Sequence, residues 1–111
     1  MKTKRIMFIA IEQLLEMIEN NDNFKMVEVL REDSFKDGHI PSAINIPVDK
    51  IKDRAKAYLK KSDTIVVYCA SYTCHASTNA AKILLSRGYN KVFDFKGSKK
   101  TWVDSGFELE K

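Results

Sequence analysis

Apolar positions along this chain switch between helical spacing and continuous or alternating runs, and each switch marks an element boundary. Ile11, Leu14, Leu15 and Ile18 recur at helical spacing and stop at Asn20-Asn21-Asp22-Asn23, a cluster of turn formers. Met26-Val27-Glu28-Val29-Leu30 then reads as a strand, followed by a short helical turn near Glu32 to Phe35. Ala43-Ile44-Asn45-Ile46 is an extended piece flanked by Pro41 and Pro47, the only two prolines. Ile51, Ala55, Tyr58 and Leu59 predict a helix, and Thr64-Ile65-Val66-Val67-Tyr68, β-branched and aromatic, predicts a core strand. The helix after it carries Ala80, Ala81, Ile83, Leu84 and Leu85, runs to Arg87 and closes on Gly88 as its carboxyl cap. Val92-Phe93-Asp94-Phe95 reads as the last strand, and Gly97 leads into a terminal helical turn holding Trp102. Strands alternating with helices imply an α/β class, with a mostly parallel sheet covered on both faces.

No repeat, low-complexity tract or Pro/Gly-rich linker interrupts this pattern, and 111 residues with 44% hydrophobic content suit one core. One domain spanning residues 1–111 is expected. Near the start, Ile6-Met7-Phe8-Ile9-Ala10-Ile11 follows Lys2, Lys4 and Arg5 and superficially resembles a secretion signal, but the apolar run is short and Glu12 breaks it. A membrane span needs about 20 apolar residues, so a cytoplasmic protein with no membrane partner is expected. The net charge of +4 is modest, and the remaining basic groups, Lys60 with Lys61 and Lys96 with Lys99 and Lys100, are scattered. They read as solvated surface lysines with no nucleic-acid motif beside them, so no nucleic-acid partner is expected. The positive balance helps draw small anions toward the chain.

The chemistry concentrates where the core strand ends. Cys69 follows Tyr68 directly and stands at the carboxyl end of a strand, where open α/β sheets bind ligands. The helix beyond offers unpaired N–H groups and the positive end of its dipole, which favour an anionic thiolate or persulfide. The reading is therefore a reactive Cys69 whose sulfur is cradled by the backbone amides of Ala70, Ser71, Tyr72, Thr73, Cys74 and His75. His75 can add charge or proton transfer. Ser71, Thr73 and Ser77 are either hydrogen-bond donors to the sulfur or turn and helix caps. Tyr72 either walls the pocket mouth or is an exposed loop residue without a role. Two cysteines five positions apart in a reducing compartment point to chemistry rather than to a structural staple.

Several segments together resemble the rhodanese-like domain family of single-domain sulfurtransferases. Gly38-His39-Ile40-Pro41-Ser42-Ala43-Ile44-Asn45-Ile46-Pro47 resembles the family's Gly-His-Ile-Pro-Gly-Ala-x-Asn-x-Pro signature, and Val66-Val67-Tyr68-Cys69 its cysteine-bearing strand. Ala80-Ala81, Leu84, Gly88-Tyr89 and Val92 resemble the helix and strand after the active loop, and Gly97, Trp102 and Gly106 its closing motif. The resemblance implies a single-domain rhodanese-like fold with a five-stranded parallel sheet flanked by helices. It also implies transfer of sulfane sulfur through a persulfide on Cys69, from a small anionic donor such as thiosulfate to a thiol or protein acceptor, with no cofactor. The chain departs from the family twice. The family's Asp-x-Arg pair is replaced by Glu28 and Leu30, with Arg31 next door. The usual Cys-x-x-Gly-x-Arg-Ser loop becomes Cys69-Ala70-Ser71-Tyr72-Thr73-Cys74-His75-Ala76-Ser77, without glycine or arginine and with a second thiol.

Cys74 has three readings: a resolving thiol that attacks the Cys69 persulfide and leaves a disulfide, a sulfur acceptor, or a small hydrophobe packed on the helix. The rival to a sulfurtransferase is accordingly a non-catalytic or redox-switching module that binds a partner and forms a Cys69–Cys74 disulfide. Phosphatase chemistry is disfavoured because a phosphate cradle wants an arginine at the far end of the loop, where His75 and Ala76 stand. A metal site built from Cys69, Cys74, His75 and His39 lacks the paired, short-spaced ligands of zinc sites, and none is expected. His39 is expected to hydrogen-bond backbone around its turn.

Overall fold

A computed structural model describes residues 5–111; Lys2 and Lys4 of the basic amino-terminal group lie outside the described residues. Five strands form one sheet in the order β1-β5-β4-β2-β3, every pair parallel. They are β1 (Met7–Ile9), β2 (Lys25–Glu28), β3 (Ile44–Asn45), β4 (Thr64–Tyr68) and β5 (Lys91–Phe95). Between and after them run α1 (Ile11–Glu19), α2 (Glu32–Asp37), α3 (Ile51–Tyr58), α4 (Ala76–Ser86) and α5 (Ser98–Asp104), with a 3-10 turn at Val48–Lys50.

The sheet is buried on both faces because alternate residues of the central strands feed two separate cores. Val27, Val29, Ile65, Val67 and Val92 pack with Ile51 and Ala55 of α3 and with Ala80, Ala81 and Leu84 of α4. Met26, Val66, Tyr68 and Phe95 pack on the other side with Leu14 of α1 and Trp102 of α5. The near-continuous apolar run in β4 follows from this: a strand with helices on both faces has no polar side.

The helical spacings locate α1, α3 and α4 as expected, and α4 ends as Gly88 foretells. Gly88 sits at φ 96°, where side chains are strained, and lets the Gly88 and Tyr89 amides bond the Leu85 and Leu84 carbonyls. Two expectations change. The predicted strand Met26–Leu30 pairs only over Lys25–Glu28. The fifth strand, implied by resemblance but absent from the apolar pattern, is the segment weighed as a signal-like run. Met7, Phe8 and Ile9 pair with Phe93, Asp94 and Phe95 along the sheet edge. With Met7 and Phe8 exposed, a three-residue edge strand offers no buried alternation for a sequence reading to detect. No helix among the described residues is long and apolar enough to cross a membrane.

Candidate active site

The carboxyl end of β4 is held in place before the loop begins. Cys69 donates its amide to Ser98 Oγ at 2.9 Å, and the Ser98 hydroxyl donates to the Phe95 carbonyl at 3.0 Å. The first turn of α5 continues the tether: Lys99 N donates to Cys69 O at 3.3 Å and Lys100 N to Ala70 O at 3.0 Å. Ser98 takes φ 59°, a left-handed conformation that costs a non-glycine residue on the order of 1 kcal/mol. Its hydroxyl satisfies a buried strand-end amide in return. Gly97 must be small, because a Cβ there would run into the Thr101 side chain.

From Ala70 the chain doubles back through a turn in which Cys74 N donates to Ser71 O at 3.1 Å. Five residues of separation thereby become contact: Cys69 and Cys74 approach to 3.0 Å. Both are free thiols. Cys69 is fully buried, whereas Cys74 is partly exposed and roofs it. The Cys69 Sγ lies 3.5 Å from Cys74 O, 3.4 Å from Ser77 Oγ and 3.9 Å from Ser98 Oγ, and the Ser77 amide also faces it. The Lys96 ammonium bonds Cys74 O at 2.6 Å, latching the loop from β5. Thr78 donates to the buried Asp94 carboxylate at 2.7 Å and fixes the first turn of α4 on β5.

The electrostatics reverse the sequence expectation. Burial pushes the Cys69 thiol up, and the hydrogen bond to Cys74 adds to the rise; bonds from Ser77 only partly oppose it. Cys74 titrates below the ordinary thiol range. Burial raises it, but the bond from Cys69, the Ala76 and Ala70 amides and the Lys96 charge outweigh that. The loop and helix amides expected around Cys69 therefore divide, with Ala70 and Ala76 serving Cys74 and Ser77 serving Cys69. This yields a direct prediction. A brief pulse of iodoacetamide at neutral pH should alkylate Cys74 at least about tenfold faster than Cys69, because thiolate fraction and access both favour it. Peptide mapping after a timed quench reads the order, and faster labelling of Cys69 would contradict the arrangement.

The other loop residues fall outside the sulfur pair. His75 caps α4, is exposed and makes no side-chain cap bond. Tyr72 is 70% exposed and has the Lys96 ammonium 5.9 Å from its ring centre. Ser71 and Thr73 bond each other at 3.2 Å, so of the three candidate hydroxyls Ser77 alone reaches the sulfur. His39 bonds Phe35 O through Nδ1 at 3.0 Å and stacks on the Phe35 ring, in keeping with a turn-holding role. Among the described residues no group of three or more His, Cys, Asp or Glu could hold a metal ion.

Sequence reasoning missed Ser98, Lys96 and Lys99. The two lysines, read as solvated surface charge, turn inward. Arg31, the neighbour of the replaced Asp-x-Arg pair, bonds only Asp33 at the surface. It is the Lys99 ammonium that stands 3.0 Å from the fully buried Glu28 carboxylate, off the line a hydrogen bond prefers. Tyr68 donates to Glu28 Oε1 at 2.9 Å and accepts the Ile40 amide at 3.0 Å, tying the Gly38–Pro47 segment to β4. Burial raises the Glu28 carboxyl, against the opposing pull of Lys99, Tyr68 and His39. A Gly97-Ser98 pair ahead of a helix was the one available signal for Ser98. Nothing in the sequence separates Lys96 and Lys99 from the other lysines.

Comparison with known proteins agrees with this architecture. The family model for the rhodanese-like domain matches residues 10–105. A putative mitochondrial thiosulfate sulfurtransferase of Schizosaccharomyces pombe is 32% identical over 91 residues, covering 71% of this chain and 63% of that protein. The chain thus spans under two thirds of that relative's length. The Escherichia coli thiosulfate sulfurtransferase PspE is 35% identical over 74 residues, covering 66% and 69% respectively. The solution structure of the rhodanese-like domain from the Anabaena Alr3790 protein superimposes with a TM-score of 0.82 at 28% identity, covering 99% of this chain and 80% of that one. With five parallel strands, a cysteine at the end of the central one and a family match over most of its length, the chain belongs to the rhodanese-like domain family.

Proposed function

We propose that residues 1–111 form one rhodanese-like sulfurtransferase or sulfur-carrier unit in which Cys69 takes sulfane sulfur and holds it as a persulfide. The observation that carries this reading is the seat of Cys69: a buried sulfur at the end of β4, faced by Ser77 and Ser98 and roofed by the Ala70–His75 loop. Burial protects a persulfide from water and stray thiols. The Ser77 hydroxyl and amide stabilise the charge on the sulfur. Sulfur enters when the loop swings away. The Lys96 ammonium on Cys74 O is the cationic contact that opening would break.

The thiosulfate sulfurtransferase names of the relatives and the cationic Lys96 suggest a small anionic donor such as thiosulfate. A groove lined by Phe8, Ile11, Tyr72, Lys96, Gly97 and Thr101 runs beside the loop and suits a thiol or protein acceptor. A reducing compartment, the cytoplasm, fits a site that depends on a free Cys69 thiol.

The test is to mix reduced protein with thiosulfate, 3-mercaptopyruvate or inorganic polysulfide and trap with an alkylating agent within seconds. The alkylated Cys69 peptide should carry one extra sulfur, about 32 Da. Absence of that sulfur on Cys69 with all three donors, in the unaltered chain and in Cys74→Ser alike, overturns the proposal.

A further inference from the structure

A simple sulfurtransferase needs one cysteine, and this site holds two in contact. We propose that Cys74 resolves the Cys69 persulfide, so that the site reduces sulfane sulfur to sulfide and is left as a Cys69–Cys74 disulfide. This deepens the reading above and rests on Cys69 as the persulfide bearer.

Three features of the geometry point to it. The Ser71–Cys74 turn brings Cys74 back to 3.0 Å from Cys69, within reach of the sulfur that stays on the protein in a persulfide. Attack there expels the outer sulfur. Attack on the outer sulfur would only pass it from one cysteine to the other. Next, the attacking sulfur is equipped as a nucleophile: the Ala70 and Ala76 amides and the Lys96 charge all favour its thiolate. Lastly, the two thiols differ in access. Cys74 is partly exposed and Cys69 buried, so an external thiol meets the disulfide at Cys74 and releases Cys69 as leaving group. A donor-loaded site is thus reset with Cys69 free.

The balance closes without an external oxidant. The protonated persulfide Cys69–S–SH is attacked at its inner sulfur by the Cys74 thiolate. The Cys69–Cys74 bond forms, the bond to the outer sulfur breaks, and that sulfur leaves with the electron pair and its proton as HS⁻. The two cysteines are oxidised by two electrons, and the sulfane sulfur is reduced by two. Return to the dithiol requires a reductant of the dithiol class, which donates the same two electrons and is itself oxidised to a disulfide. Because attacker and target are already in contact, the step gains the advantage of an intramolecular reaction over any free thiol in solution.

The test loads fully reduced protein with inorganic polysulfide under argon, removes the excess by rapid desalting, and follows intact mass and free sulfide with time. In the unaltered chain, the persulfide mass should give way to a species about 2 Da below the reduced protein, with close to one sulfide released per disulfide formed. Peptide mapping should place the bridge between Cys69 and Cys74. In Cys74→Ser, and in Cys74→Ala as a second check, the extra sulfur on Cys69 should persist at least about tenfold longer, without stoichiometric sulfide. Equal persulfide lifetimes in the unaltered chain and both variants overturn the resolving role while leaving Cys69 as bearer. Failure of Cys69 to gain sulfur in both Cys74 variants, with neither persulfide nor disulfide and sulfide formed in the unaltered chain, overturns both readings together.

Discussion

Replacing Cys69 by serine should lower the rate of sulfur loading by at least about a thousandfold, equivalent to about 4 kcal/mol of barrier. The substitution keeps the shape of the site almost unchanged and removes its nucleophile. A hydroxyl at this position is not ionised at neutral pH, and its neighbours, the Cys74 carbonyl and thiol and the hydroxyls of Ser77 and Ser98, include no carboxylate or imidazole and only a thiol far less basic than an alkoxide. Those same partners receive the new hydroxyl, so the fold should survive with a loss of no more than about 2 kcal/mol. Trapped-persulfide yield against time, with thermal unfolding as control, separates the two effects. Loading at the original rate in Cys69→Ser, or sulfur accumulating on Cys74 at that rate, would show that the reacting thiol had been misassigned. Cys74→Ser supplies the contrast, since it alters the fate of the persulfide and not its formation.

The distinction between these thiols shows how far the sequence could be read. That a cysteine after Thr64–Tyr68 would end a buried strand follows from composition alone, because only a strand covered on both faces is apolar at every position. The same pattern fixes α1, α3 and α4, and the family motifs supply the topology. The sequence is mute wherever a contact crosses between distant segments. Helix dipole and loop amides predicted a lowered Cys69, but burial under the Cys74 roof is a three-dimensional fact, and it moves the anionic preference to the second thiol. Ser98 and Lys99 lie some thirty residues from the cysteine they support. Their spacing has no period to read, and a lysine that reaches inward has the same letter as one that does not. The edge strand β1 escaped because it is short and half exposed, which leaves neither alternation nor a continuous buried run.

Lys99→Met should destabilise the protein by about 3–5 kcal/mol near neutral pH, because it strands a buried charge. Glu28 is fully buried, and its carboxylate faces the Lys99 ammonium at 3.0 Å and the Tyr68 hydroxyl at 2.9 Å. Methionine preserves most of the aliphatic stem but leaves Tyr68 as the only strong partner. The pH dependence identifies the cause. Burial already raises the Glu28 carboxyl in the folded state, and Lys99 is the leading influence that lowers it. Without Lys99 the folded pKa climbs further, and the folded state keeps a proton that the unfolded chain gives up near the ordinary carboxylate value. Stability therefore falls as pH rises from the unfolded toward the folded pKa, so the deficit should be greatest at about pH 8 and shrink toward about pH 5. Urea unfolding at both ends measures it. Glu28→Gln in the Lys99→Met background should recover a substantial part of the loss at the higher pH, since an amide can still accept from Tyr68 and carries no charge. A deficit under about 1 kcal/mol, or one equal at both pH values, would mean that the pair behaves as an ordinary solvated ion pair. Because Lys99 also gives its amide to the Cys69 carbonyl, the variant should loosen the end of β4, and Cys69 should alkylate faster in it than in the unaltered chain. That gain in reactivity would tie the buried Glu28–Lys99 pair to the seat of the sulfur.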